Sequence, residues 1–133
     1  KESGLKGISG VSNDIRDVHK AAAAGDAKAK LALEVFVVSA RHWIGSYFFE
    51  LGGADAIAFT AGIGENDFVI RAGICAGLEN LGIELDSALN ASTRATETVI
   101  SKPGSRVKVM VIPTNEELVV ARETKRFLEN ARN

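Results

Sequence analysis

Ala56-Ile-Ala-Phe-Thr-Ala-Gly-Ile-Gly-Glu-Asn66 decides the fold. An apolar run without polar alternation ends in a small, glycine-rich turn, and Asn66-Asp67 opens an amphipathic segment behind it. A continuous apolar run bounded by glycine is the pattern of a central parallel strand. Strand, tight turn and helix N-terminus together suit a phosphate. Glycine lets the backbone approach a ligand, and the first helical N–H groups carry partial positive charge. The turn is not a standard nucleotide loop. A dinucleotide fingerprint places its third glycine at position 67, which is Asp67, and no Gly-Lys-Ser/Thr of a Walker loop follows. By itself it equally suits a βα turn with no ligand.

Upstream, Ser3 to Asn13 reads as a glycine- and serine-rich loop, with Ser12 or Asn13 capping a helix that stops at Gly25. Asp14 and Asp17 fall in its first turn, and Arg16 lies between them. Asp26 caps a long helix whose apolar positions, from Leu31 through Trp43 and Tyr47 to Leu51, cover much of its circumference. Such a helix is buried on two sides or packs in an interface. Downstream of the turn, Phe68, Ile70, Ile74, Leu78 and Leu81 share a helix ending at Gly82. Residues 86–95 read as polar loop. Residues 97–101 and 106–112 flank Lys102-Pro-Gly-Ser105 as a strand pair, with Val107, Val109 and Val111 on one face. Thr114 or Asn115 caps a last helix, and Thr114-Asn-Glu-Glu117 fits a capping box. Strands alternating with helices predict an α/β domain, a mostly parallel sheet with helices on both faces.

Composition narrows the functions. The 133 residues carry 46% hydrophobic and 25% charged residues and a net charge of -1. This is the profile of a globular domain, with no basic field for nucleic acid and no run of ~18 apolar residues for a membrane. The single cysteine, Cys75, can form neither an internal disulfide nor a zinc site, which fits a reducing, cytoplasmic setting and reads as core. His19 and His42 lack a second ligand at metal spacing and read as surface or packing residues. Trp43 and Tyr47 read as core. The chain opens on Lys1 rather than Met, so it is expected to be a piece of a longer protein.

Three stretches carry candidate chemistry. In Ser9-Gly-Val-Ser-Asn-Asp-Ile-Arg-Asp17, an aspartate can accept from ribose hydroxyls and a guanidinium can stack on a base or pair with phosphate. Gly62 to Asn66 is the glycine turn. Glu116 stands at the carboxyl end of a strand, where α/β sheets bind ligands and where magnesium takes one carboxylate plus phosphate oxygens. Taken singly, Asp14 and Asp17 are also plain first-turn acids and Glu116 part of a helix cap.

Taken in order, Ile8–Asp17, Phe59–Asn66 and Val111-Ile-Pro-Thr-Asn-Glu-Glu-Leu118 resemble the C-terminal part of the acetate kinase family, over residues from about Gly4 to Phe127. The resemblance implies the ribonuclease H-like, actin-like ATPase fold, in which two similar domains close over a nucleotide. It implies that Asp14, Ile15 and Arg16 line the ribose and adenine side, and that Gly62, Ile63, Gly64, Glu65 and Asn66 wrap the nucleotide. It implies that Glu116 is a magnesium-linked carboxylate, with ATP/ADP and Mg2+ as cofactors. Residues 1–133 would then form a C-terminal nucleotide-binding domain fragment, contributing to a homodimer. The family's acetate pocket and catalytic residues lie upstream, so no catalytic residue is assigned here and the fragment is expected to be inactive alone. Propionate or butyrate kinase, or a non-catalytic nucleotide-binding and dimerisation module, are the alternatives.

Overall fold

A computed structural model describes residues 3–130, with the side chain of Glu116 outside the description. Helix α1 (Gly4–Ser9) and helix α2 (Ile15–Ala23) lie against the long helix α3 (Ala27–Glu50). Strand β1 (Ala56–Phe59) leads into the short helix α4 (Ala61–Asn66) and then α5 (Phe68–Cys75). Helix α6 (Ser87–Ser92), strands β2 (Thr98–Val99) and β3 (Lys108–Val111), and helix α7 (Glu116–Asn130) complete the chain.

The three strands run in the order β1-β3-β2. β1 and β3 are parallel, with Ala56 opposite Lys108 and Phe59 opposite Val111. β2 is antiparallel to β3, as the turn at Lys102–Ser105 requires. The sequence pattern predicts a mostly parallel sheet with helices on both faces. Among the described residues there is one parallel and one antiparallel pair, and one face is covered. Phe59, Val109 and Val111 point into a core with Ile15, Ile70, Ile74, Ile83 and Ile100. On the opposite face Ala56, Ala58 and Lys108 are exposed and Met110 is half-buried. The single-faced burial of Val107, Val109 and Val111 agrees with the alternation read from the sequence. A second cluster, Val18, Ala22, Ala29 and Ala32, fastens α2 to α3.

Several local expectations change. Residues 4–9 are helical rather than loop. The cap of α2 is Asp14, whose Oδ1 accepts the Arg16 amide at 2.9 Å, while the Ser12 hydroxyl accepts the Asp14 amide at 3.0 Å. Residues 87–92 are helical because Asp86 accepts the Leu89 amide at 2.9 Å, which offsets the weak propensity of Ser and Asn. The helix after the glycine stretch stops at Cys75, and a separate 3₁₀ turn at Glu79–Leu81 reaches Gly82. At the head of α7 the Leu118 amide donates to Asn115 Oδ1 at 2.9 Å, so of the two candidate caps it is Asn115 that serves, while the Thr114 hydroxyl donates to Glu65 rather than closing a capping box. Trp43 and Tyr47 are not core. They stack on each other, centroids 6.3 Å apart, with 58% and 62% of their surface exposed.

Candidate functional site

The glycine stretch is itself a helix. From Thr60 the chain turns through Ala61, which sits at φ +59°, a left-handed conformation uncommon for a residue with a Cβ. Gly62 to Asn66 then complete α4, and the Asn66 side chain donates back to the Gly62 carbonyl at 3.0 Å. Gly64 packs on the end of β1. A Cβ there would lie 3.2 Å from the Phe59 carbonyl carbon. Glycine at this position therefore serves close approach of backbone to backbone.

The anion-friendly terminus also moves. Asp67 caps α5, and its Oδ1 accepts the Val69 and Ile70 amides at 3.1 and 3.0 Å. The first-turn amides of that helix are thus filled by the protein's own carboxylate. The other oxygen, Oδ2, meets His19 Nε2 at 2.7 Å. His19 is half-buried and joined to Asp67 rather than free at the surface.

A cavity of about 780 Å³ opens between α2, α4 and the start of α5. That volume lies within the range of small-molecule sites. Its lining includes Asp14, Ile15, Arg16, Gly62, Ile63 and Asn66, which are separated by nearly fifty residues in the chain. Gly64 and Glu65 are not on the lining. The Glu65 carboxylate is buried and accepts from the Thr114 amide at 2.9 Å and the Thr114 hydroxyl at 3.0 Å. The Thr114 amide bond, helped by its hydroxyl and by the Ala61 amide, holds the Glu65 carboxyl below the usual range despite burial. Arg16 Nε donates to both oxygens of Asp14, at 3.0 and 3.1 Å. The hydrogen bonds from Arg16 lower the Asp14 carboxyl to about 2.

The cavity holds further groups that composition and spacing did not single out. Arg94 lies over the Phe68 ring, 4.6 Å from its centroid, and both line the cavity with His19 and Asp67. Behind α4 stands Arg71, fully buried. Its only sequence signal is a charge next to Ile70 on an otherwise apolar helix. Among the described residues there is no cluster of three or more potential metal-ligating side chains. A magnesium ion held by one carboxylate and nucleotide phosphates needs none. The side chain of Glu116 lies outside the described residues.

The small mixed sheet, its flanking helices and a cavity at the carboxyl end of β1 define an α/β domain of the actin-like ATPase type. The Acetokinase family profile matches residues 1–122, and the chain belongs to that family. The acetate kinase of Methanosarcina barkeri is 54% identical over 97% of this chain, and that of Geobacillus sp. 56% identical over 96%. Among solved structures, Porphyromonas gingivalis acetate kinase superposes with a TM-score of 0.89 at 41% identity, covering 96% of this chain and 32% of that one. A propionate kinase from Francisella tularensis gives a TM-score of 0.81 at 45% identity, covering 92% of this chain and 31% of that one. The chain spans about a third of the length of the relatives it matches.

Proposed function

We propose that the cavity between α2 and α4 is the nucleotide side of an acetate kinase active site, within a C-terminal nucleotide-binding domain that spans residues 1–133. The observation that carries this reading is the convergence of Asp14-Ile15-Arg16 with Gly62, Ile63 and Asn66 around one cavity. Asp14 offers a carboxylate to ribose hydroxyls, Ile15 an apolar wall, and Arg16 with Arg94 positive charge for phosphate or a base face. Gly64 and Glu65 serve the same wall from behind. In the reaction of the whole protein, a carboxylate oxygen of acetate bonds to the γ-phosphorus of ATP. The bond from that phosphorus to the bridging oxygen breaks, and the electron pair leaves on ADP. Such transfer rests on positioning and on cations around the migrating group. The cavity offers nucleotide-side cations only, so the acyl pocket and the remaining catalytic groups belong outside these residues. Magnesium, linked to Glu116 and the phosphates, would neutralise phosphate charge. The lone reduced cysteine fits a cytoplasmic protein.

Calorimetric titration with MgADP tests the site. Asp14→Ala and Asn66→Ala are expected to weaken binding several-fold, and unchanged affinity in both would overturn the assignment. The likeness to a propionate kinase favours a second acyl substrate. Hydroxamate formation by the full-length protein with acetate and with propionate ranks the two, and acetate is expected to be the faster.

A further inference from the structure

Arg71 has five N–H donors, and all five directions are used. Nε donates to Asn90 Oδ1 at 2.7 Å. One terminal nitrogen donates to the carbonyls of Gly64 and Glu65 at 2.8 and 2.9 Å, and the other to those of Asn90 and Thr93, both at 2.9 Å. The Gly64 and Glu65 carbonyls belong to the last turn of α4, where a helix leaves its carbonyls without partners. The Glu65 carbonyl also accepts the Ala95 amide at 3.1 Å. From the same helix the Glu65 side chain takes both donors of Thr114, just beyond β3. Glu65 is 8% exposed and absent from the cavity lining.

We propose that Glu65 is a positioning residue for nucleotide binding rather than a ligand contact: with Arg71 it clamps α4, one wall of the cavity, to the segment that follows β3. The two ties join one short helix to two different segments. Arg71 fixes its end to the α6 region, and Glu65 fixes it to Thr114. Gly62 and Ile63 lie between β1 and these anchors and Asn66 directly follows them, so their place in the cavity is set by the clamp. Thr114 also stands two residues before Glu116, which couples the nucleotide wall to the strand end proposed to reach the metal. This inference rests on the nucleotide reading of the cavity.

The two roles for Glu65 separate by substitution. A charged ligand contact is lost equally in Glu65→Ala and Glu65→Gln. A positioning acceptor is largely restored by Gln, whose amide oxygen can still take the Thr114 amide and hydroxyl. MgADP affinity by calorimetry is measured beside the melting temperature in the protein, Glu65→Ala, Glu65→Gln and Thr114→Val. The expected result is about tenfold weaker binding in Glu65→Ala, with threefold or less in Glu65→Gln and Thr114→Val, from hydrogen bonds of ordinary strength. The double variant Glu65→Ala/Thr114→Val is expected to bind no more weakly than Glu65→Ala, because the partner is already gone. Equal losses in Gln and Ala, or lowered melting temperatures with unchanged affinity, overturn the positioning role while leaving the nucleotide site standing. Failure of the unsubstituted protein to bind MgADP overturns both. Thr114→Val keeps the test available if Glu65→Ala does not fold.

Discussion

At the scale of single residues, the buried charge decides most. Arg71 is a cation that pairs with no carboxylate among the described residues and is held by four carbonyls and an amide oxygen. Burial, with Arg94 adding repulsion, lowers its pKa, yet a guanidinium remains charged at neutral pH. Arg71→Met is expected to destabilise by about 3–5 kcal/mol, because it strands several buried acceptors at once. Urea unfolding checks this. Cys75 is the converse, a neutral group kept neutral. Burial pushes its thiol from 9.0 up to about 11, against the opposing pull of Arg41 and Arg71. Between these two values the unfolded chain loses the proton and the folded one keeps it. Stability is therefore untouched below pH 9 and falls by about 2–3 kcal/mol as pH rises to 11. Cys75→Ala is expected to flatten that limb in urea midpoints taken at pH 8 and 10.5. Asp14 has the opposite sign, its carboxyl lowered to about 2 mainly by the Arg16 side chain. Its paired form is complete above about pH 4 and is lost only as pH falls towards 2. Carbon-detected NMR titration of the Asp14 carboxyl is expected to show no midpoint between pH 3.5 and 6.

Among the elements, α4 carries the most consequence for its length. Gly64→Ala places a methyl 3.2 Å from the Phe59 carbonyl carbon. Backbone cannot swing aside as a side chain can, so a loss of about 1–2 kcal/mol is expected in thermal melts. Gly62, which has open space at its Cβ position, should tolerate alanine better. How far the sequence can be read differs by element for physical reasons. The α3 boundaries follow from Asp26, whose carboxylate takes the Lys28 and Ala29 amides, and from Gly52 and Gly53, both at positive φ. β3 is legible because Val107, Val109 and Val111 alternate. The α4 helix is not, because two glycines in six residues are a turn signal, and of the contacts that hold it, Arg71 sits in the next helix and Thr114 lies 49 residues away. The same distance hides the clamp. Glu65 reads as a ligand residue beside two glycines, and only the folded chain shows its carboxylate turned to Thr114. Asp14 and Arg16 were legible as one unit because their pairing is local.

Across the whole molecule, the unresolved balance is apolar surface. Helix α3 packs Leu33, Phe36, Val37, Ala40, Ile44 and Phe48 inward and leaves Val38, Trp43, Tyr47 and Phe49 exposed. A second copy of the chain is the occupant we propose for that outer face, in line with the homodimer expected from the sequence. Trp43→Glu with Tyr47→Glu should then convert dimer to monomer in sedimentation velocity without loss of secondary structure. The sheet adds a separate liability. In the order β1-β3-β2, β1 has β3 on one side and no partner strand on the other among the described residues. Its outward-facing Ala56 and Ala58 are small and uncharged, and no proline or lysine lies within its four residues. Natural sheets blunt such borders with charge, proline or a covering segment. The free side of β1 is therefore a template for strand addition, and a further segment or chain laid along it would extend the same sheet.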